Sequence, residues 1–274
     1  MLVVFASLKG SPGVSCLSTA VAARLSVAKP GAPGLVSLLV EADPAGGVAA
    51  ARAGLDRGVG LVSLAAEVRS GRLTRAVVAR HVQQLPSGVA VLTGPGGGDE
   101  ATSTVNVLAD GLARFITAGA RTGLAVVVDV GRLGADSVAW PLVDAADGVI
   151  LLITPNVEGV EQLAAWLRVR PSMSARVALV LRDVRGPQFS EREITDELGT
   201  AVLTRVPDDC AAAITAYGGE RRRSRRSQWW STVGVIAHQI DQLQPRAGRN
   251  IRTAGNAAAP PLSTRPGSWT DTTS

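Results

Sequence analysis

The chain has 274 residues, 46% of them hydrophobic and 19% charged, a balance that supplies a substantial core and excludes an intrinsically disordered protein. Its longest apolar runs, such as Leu124 to Val128 and Val149 to Ile153, fall far short of the ~20 residues of a membrane-spanning helix. The net charge is +5, yet residues 221–274 hold nine arginines against Asp241 and Asp271, so the basic character sits at the carboxyl end and points to an anionic partner, nucleic acid or an acidic membrane surface.

Met1 leads directly into Leu2-Val3-Val4-Phe5 without a basic region or a small-residue cleavage site, which reads as a strand and predicts a cytoplasmic protein. Short apolar runs then alternate with longer segments of helical period, the pattern of a parallel sheet covered by helices on both faces. Strands are predicted at Leu2–Ser7, Leu35–Val40, Val89–Leu92, Ala125–Asp129, Val149–Thr154, Val177–Leu181 and Ala201–Arg205. Helices are predicted at about Ser15–Val27, Gly60–Arg69, Leu73–His81, Ala101–Ala118, Val157–Arg168, Glu191–Leu198 and Gln228–Leu243. These elements form one α/β domain over residues 1–243. From Gln244 onward Pro, Gly, Ser, Thr and Asn dominate without an apolar period, predicting a disordered tail over residues 244–274. The two cysteines, Cys16 and Cys210, lack zinc-ligand spacing and are expected as free thiols.

The first strand runs into Leu8-Lys9-Gly10-Ser11-Pro12-Gly13-Val14-Ser15-Cys16 and then an Ala-rich helix. A strand, a glycine-containing loop and a helix make a phosphate site, because loop amides and the positive helix end converge on one anion. The spacing resembles the deviant Walker A motif K-G-G-x-G-K-[ST] of the MinD/ParA family, with Lys9 at the signature lysine, Ser15 at the magnesium-binding hydroxyl, and Gly10 and Gly13 matching. Four further segments resemble that family in order. Glu41-Ala42-Asp43-Pro44-Ala45-Gly46 is similar to its D-x-D-P-x-G switch, and Val126-Val127-Val128-Asp129-Val130-Gly131 to its Walker B strand. Ile150-Leu151-Leu152-Ile153-Thr154-Pro155 resembles its next core strand, and Arg205-Val206-Pro207-Asp208-Asp209 its late segment near the base.

The resemblance implies a single doubly wound P-loop NTPase domain with a mostly parallel central sheet. It implies ATP or ADP with Mg2+ as cofactor, cradled by Lys9, Gly10, Ser11, Gly13, Val14, Ser15 and Cys16. Ser15, Asp43 and Asp129 would hold the metal, partly through water, and Lys9 and Asp43 would serve catalysis. In this family the signature lysine reaches across a dimer interface, so a homodimer with Lys9 acting in trans is implied as well. Taken singly, Asp129 and Asp43-Pro44 also read as ordinary turn residues.

The sequence departs from the pattern at the second lysine, where it has Val14. That lysine draws the phosphates into the loop and offsets charge in phosphoryl transfer. Its loss is expected to weaken nucleotide binding roughly tenfold to a hundredfold, since charge-assisted hydrogen bonds are worth ~1.5–3 kcal/mol. Pro12 removes a loop amide hydrogen, Ser11 stands where a glycine would allow closer approach, and Arg182-Asp183 stands where the family reads adenine with an asparagine.

Near the carboxyl end Arg221, Arg222, Arg223, Arg225 and Arg226 form a basic cluster suited to DNA phosphates or anionic lipid. The helix after it carries Trp229, Val233, Ile236, Ile240 and Leu243 at helical spacing, a stripe that suits either the core or a membrane interface. Two functions remain open. One is a positioning or scaffold factor in partitioning, septum placement or secretion and pilus assembly, with weakened ATP binding and hydrolysis. The other is a working ATP-dependent dimerising switch of the same fold. The protein would then be cytoplasmic, with peripheral attachment to membrane or nucleoid through the arginines.

Overall fold

The computed structural model describes residues 1–9, 13–26, 37–68, 73–119, 124–184, 186, 188–218 and 227–242. The chain divides into two units, Met1–Gln244 and Pro245–Ser274, and the second lies outside the described residues, as do Leu243, the predicted tail, Gly10, Ser11, Pro12 and the five clustered arginines. Among the described residues no helix is long and apolar enough to cross a membrane.

Eight strands form one sheet: β1 (Leu2–Ser7), β2 (Ser37–Glu41), β3 (Gln83–Gln84), β4 (Ala90–Leu92), β5 (Ala125–Arg132), β6 (Gly148–Ile153), β7 (Val177–Arg182) and β8 (Ala201–Val206). The order is β3-β4-β2-β5-β1-β6-β7-β8, parallel throughout except for the antiparallel β3–β4 pair. The predicted parallel sheet is therefore present, with one polar, two-residue strand at the β3 edge that the apolar pattern does not reveal. The central strands are buried on both faces, as a parallel sheet between helical layers requires.

Alternate residues serve opposite layers, following the two-residue period of a strand. Leu2, Val4 and Ala6 of β1, with Val126, Val128 and Val130 of β5, face a layer containing α3 (Leu61–Val68), α4 (Arg75–His81), α5 (Gly98–Gly119), α6 (Trp140–Asp144), α7 (Val157–Val169) and α8 (Glu191–Leu198). Val3, Phe5, Leu39 and Val127 face the other layer. Here lie α1 (Val14–Leu25), α2 (Ala49–Ala53), α9 (Cys210–Ile214) and α10 (Gln228–Gln242).

The stripe on α10 is core. Trp229, Val233, Ile236 and Ile240 are all buried against this second face, each such side chain contributing about 1.5–3 kcal/mol of apolar burial. Trp230 meets Trp229 edge to face and accepts the Arg24 guanidinium over its ring, so the pair forms a packed groove. Helix α5 starts three residues earlier than its apolar period suggests, at Gly98, with Asp99 and Glu100 complementing the positive helix end. The short helices α2, α6 and α9 have no periodic signature.

The topology positions the site. From β1 the chain crosses to β2 on one side, whereas β5, which lies between β2 and β1, leads to β6 on the other side. The direction of winding reverses at β1, and a crevice opens beyond the carboxyl ends of strands at such a reversal.

Candidate functional site

Helix α1 begins at this reversal. Gly13 precedes it with φ 101°, a left-handed conformation that favours glycine, and its carbonyl accepts from Leu17 N at 3.0 Å. Gly13 brings no capping side chain, and the first turn of α1 carries no acidic residue, which among the described residues leaves the positive helix end suited to an anion. Val14, the first helical residue, is 5% exposed and packs in the apolar layer with Leu17, Leu39 and Val127. The position that would hold the second lysine therefore supplies core packing and no charge.

Three acidic residues converge beside α1 because Glu41 at the end of β2 is in register with Asp129 on β5, with Asp43 two residues further on. Asp129 is 2% exposed; its Oδ1 accepts from Gly131 N at 2.9 Å, and the Ser15 side chain hydrogen-bonds to its carboxyl. Burial pushes Asp129 up to about 7; these two hydrogen bonds oppose the shift and the charges of Glu41 and Asp43 add to it. Asp43 is half-buried, accepts from Ala45 N at 2.8 Å, and is raised by burial against that bond. Gly131, at φ 59°, lies so close to Asp43 that a β-carbon there would overlap its carboxylate.

Glu41 has a different task. Its Oε1 accepts from Val48 N at 3.0 Å and Ala49 N at 2.9 Å, and its Oε2 from Gly94 N at 3.2 Å. Burial raises its pKa and the three amides oppose it. The carboxylate thus caps α2, whose Ala-rich turn ends at Gly54 in the left-handed conformation.

Two cavities share Leu152 of β6, and the first of them lies at the head of α1. The first, of about 240 Å3, is lined by Gly13, Cys16, Arg52, Arg182, Pro207 and Asp208, among others. The second, of about 290 Å3, is lined by Leu8, Lys9, Thr154, Asn156 and Glu158, among others, and the exposed Lys9 belongs to it alone. The structure thus joins Ser15, Asp129 and Asp43 in one cluster, places Gly13 and Cys16 at the first cavity, and turns Val14 into the core. Both cysteines are free thiols; burial pushes Cys16 up, against the pull of Arg52.

Among the described residues no group of three or more His, Cys, Asp or Glu side chains makes a protein-only metal cage. Ser15, Asp43 and Asp129 nevertheless present the hard oxygen donors that suit magnesium, which keeps waters and takes remaining ligands from a phosphate. A magnesium nucleotide fits this donor set and the positive helix end. Arg52 and the capping role of Glu41 carry no motif. The single local hint is the helix-favouring run from Ala49 to Gly54 after the switch segment.

No protein-family model matches the sequence, and comparison with curated proteins finds no match. Solved structures do match. A ParA family ATPase from Chlorobium tepidum TLS superposes with a TM-score of 0.67 at 19% identity, over 86% of this chain and 98% of that one. MinD of Aquifex aeolicus in a MinC:MinD cell division complex gives 0.65 at 15% identity, over 91% and 99%. The septum site-determining protein MinD of Pyrococcus horikoshii OT3, complexed with Mg-ADP, gives 0.63 at 15% identity, over 88% and 96%. The chain has the fold of MinD/ParA-type P-loop ATPases.

Proposed function

We propose that the protein binds ATP or ADP with magnesium in the cavity at the head of α1 and works chiefly as a positioning or scaffold factor, with turnover weakened by Val14. The observation that carries this reading is the burial of Val14 in the apolar layer at an otherwise furnished site. Gly13 and the positive helix end would receive the phosphates, and Ser15, Asp43 and Asp129 would hold the metal, partly through water. Bound magnesium would neutralise charge on the phosphates. Asp43 beside Gly131 would orient water, and Pro207 and Asp208 would border the base.

A homodimer fits this reading, because Lys9 is exposed and lines the second cavity and not the first, which leaves it available to a partner's nucleotide. Arg221, Arg222, Arg223, Arg225 and Arg226 would attach the protein to DNA or to an anionic membrane, giving a cytoplasmic protein with peripheral attachment. Partitioning, septum placement and secretion or pilus assembly are the processes this chemistry serves.

The bond between Ser15 and Asp129, with Asp43 alongside, favours the second reading, an ATP-dependent dimerising switch. Phosphate release from Mg-ATP separates the two. The scaffold reading expects the native protein to turn over more slowly than Val14→Lys, and turnover in the native protein equal to or faster than in the variant overturns it.

A further inference from the structure

Four charged side chains line the cavity at the head of α1, and three of them are engaged with protein partners. Arg182 Nη2 pairs with Asp208 Oδ1 at 2.9 Å, and Asp209 Oδ1 accepts from Ala212 N at 2.8 Å. The fourth is Arg52. Its Nη1 contacts Cys16 Sγ at 2.9 Å, and its guanidinium carbon lies 5.0 Å from the centre of the Tyr217 ring. No carboxylate pairs with it among the described residues. A thiol and an aromatic face hold the guanidinium in place without neutralising it. Such a cation, beside Gly13 and a positive helix end, lacks only an anion.

We propose that Arg52 is the phosphate-binding cation of this cavity, supplied from α2 and standing in for the charge that Val14 does not provide. The inference rests on the nucleotide-binding reading above and assigns the residue that makes it work. The placement follows from the fold. Glu41 caps α2 through Val48 N and Ala49 N, which fixes the helix and brings Arg52 to Cys16 across 36 positions of sequence. A guanidinium offers planar, paired donors to phosphate oxygens, so it suits a diphosphate or triphosphate in this cavity. The same cation does not replace a lysine on the loop itself. It strengthens binding of the ground state, and turnover stays low.

The test is calorimetric titration of the full chain with Mg-ADP, Mg-ATP, inorganic pyrophosphate and adenosine, at two salt concentrations. The proteins are the native chain, Arg52→Ala, Arg52→Lys and, as a charge-matched control, Arg114→Ala on the opposite layer. Arg52→Ala is expected to weaken the three phosphate ligands roughly tenfold, at the low end of the range for a charge-assisted contact because the side chain is exposed. Arg52→Lys should recover part of the loss, while adenosine binding and the Arg114→Ala variant stay unchanged. If the native chain binds Mg-ADP and Arg52→Ala binds it equally well, the assignment of Arg52 is wrong and the nucleotide reading stands. An equal loss for adenosine also overturns it, because the residue would then be reading the base. If the native chain binds none of the phosphate ligands, the nucleotide reading falls and the inference with it.

Discussion

Asp129 buries a carboxyl at the centre of the sheet, and replacing it with asparagine should change how stability depends on pH. In the unfolded chain an aspartate titrates near ~3.9. In the folded protein burial pushes it up to about 7. A group whose folded pKa lies above its unfolded value adds stability that is fully present below the unfolded value and is lost as pH rises through the folded one. The window runs from about pH 4 to about pH 7, and at ~1.4 kcal/mol per unit the loss reaches about 4 kcal/mol as an upper limit. Asn at this position has nearly the same shape, can still accept from Gly131 N and can donate to Ser15, so the hydrogen bonds survive while the titration disappears. Urea unfolding in a chelating buffer at pH 5 and pH 8 measures the difference. Asp129→Asn should gain on the native protein by up to about 3 kcal/mol between pH 5 and pH 8, because roughly one of the three units of loss has already occurred by pH 5. Parallel pH profiles for the two proteins would refute the reasoning.

Supplying the missing charge by Val14→Lys should tighten Mg-ATP binding roughly tenfold in calorimetry, its aliphatic stem taking the place of the buried valine. No gain would mean that Ser11 and Pro12 have already reshaped the loop. Gly131→Ala combines a positive φ with an overlap of the Asp43 carboxylate and should cost about 1–3 kcal/mol in thermal or urea unfolding. Adding Asp43→Ala should return part of that loss, and full additivity of the two would contradict the contact. Replacing Arg221, Arg222, Arg223, Arg225 and Arg226 with alanine should abolish low-salt retention on DNA or on acidic liposomes. Trp229 emission should not shift on addition of lipid in either protein, because that ring is core.

The sequence exposes the parts of this fold that depend on local pattern. Strand β1 and helix α8 fall where the apolar run and the Ser190–Glu193 capping box place them. The α10 stripe was legible as a stripe, and only the packed sheet decides that it faces the core. Elements that exist by tertiary contact were hidden. Strand β3 is two glutamines recruited by pairing with Val91 and Ala90, and α2 is a five-residue turn held by Glu41. Strand β5 continues past Asp129 because Arg132 still pairs with Ser7. At the site, the motif spacing singled out Gly13, Ser15, Asp43 and Asp129, which the strand ends and the start of α1 bring near one another. Arg52 was invisible, because its meaning lies in its contact with Cys16 and in the lack of a carboxylate partner among the described residues, neither of which has a sequence period.

The claim on which the rest depends is that a nucleotide site is present and weakened by the burial of Val14. Titration of the purified protein with Mg-ATP in a calorimeter tests it directly. The account predicts saturable, magnesium-dependent heat with a dissociation constant weaker than about 1 μM, an affinity below about 8 kcal/mol. A sub-micromolar constant with ordinary magnesium dependence would contradict the weakening, and no heat up to millimolar nucleotide would contradict the site.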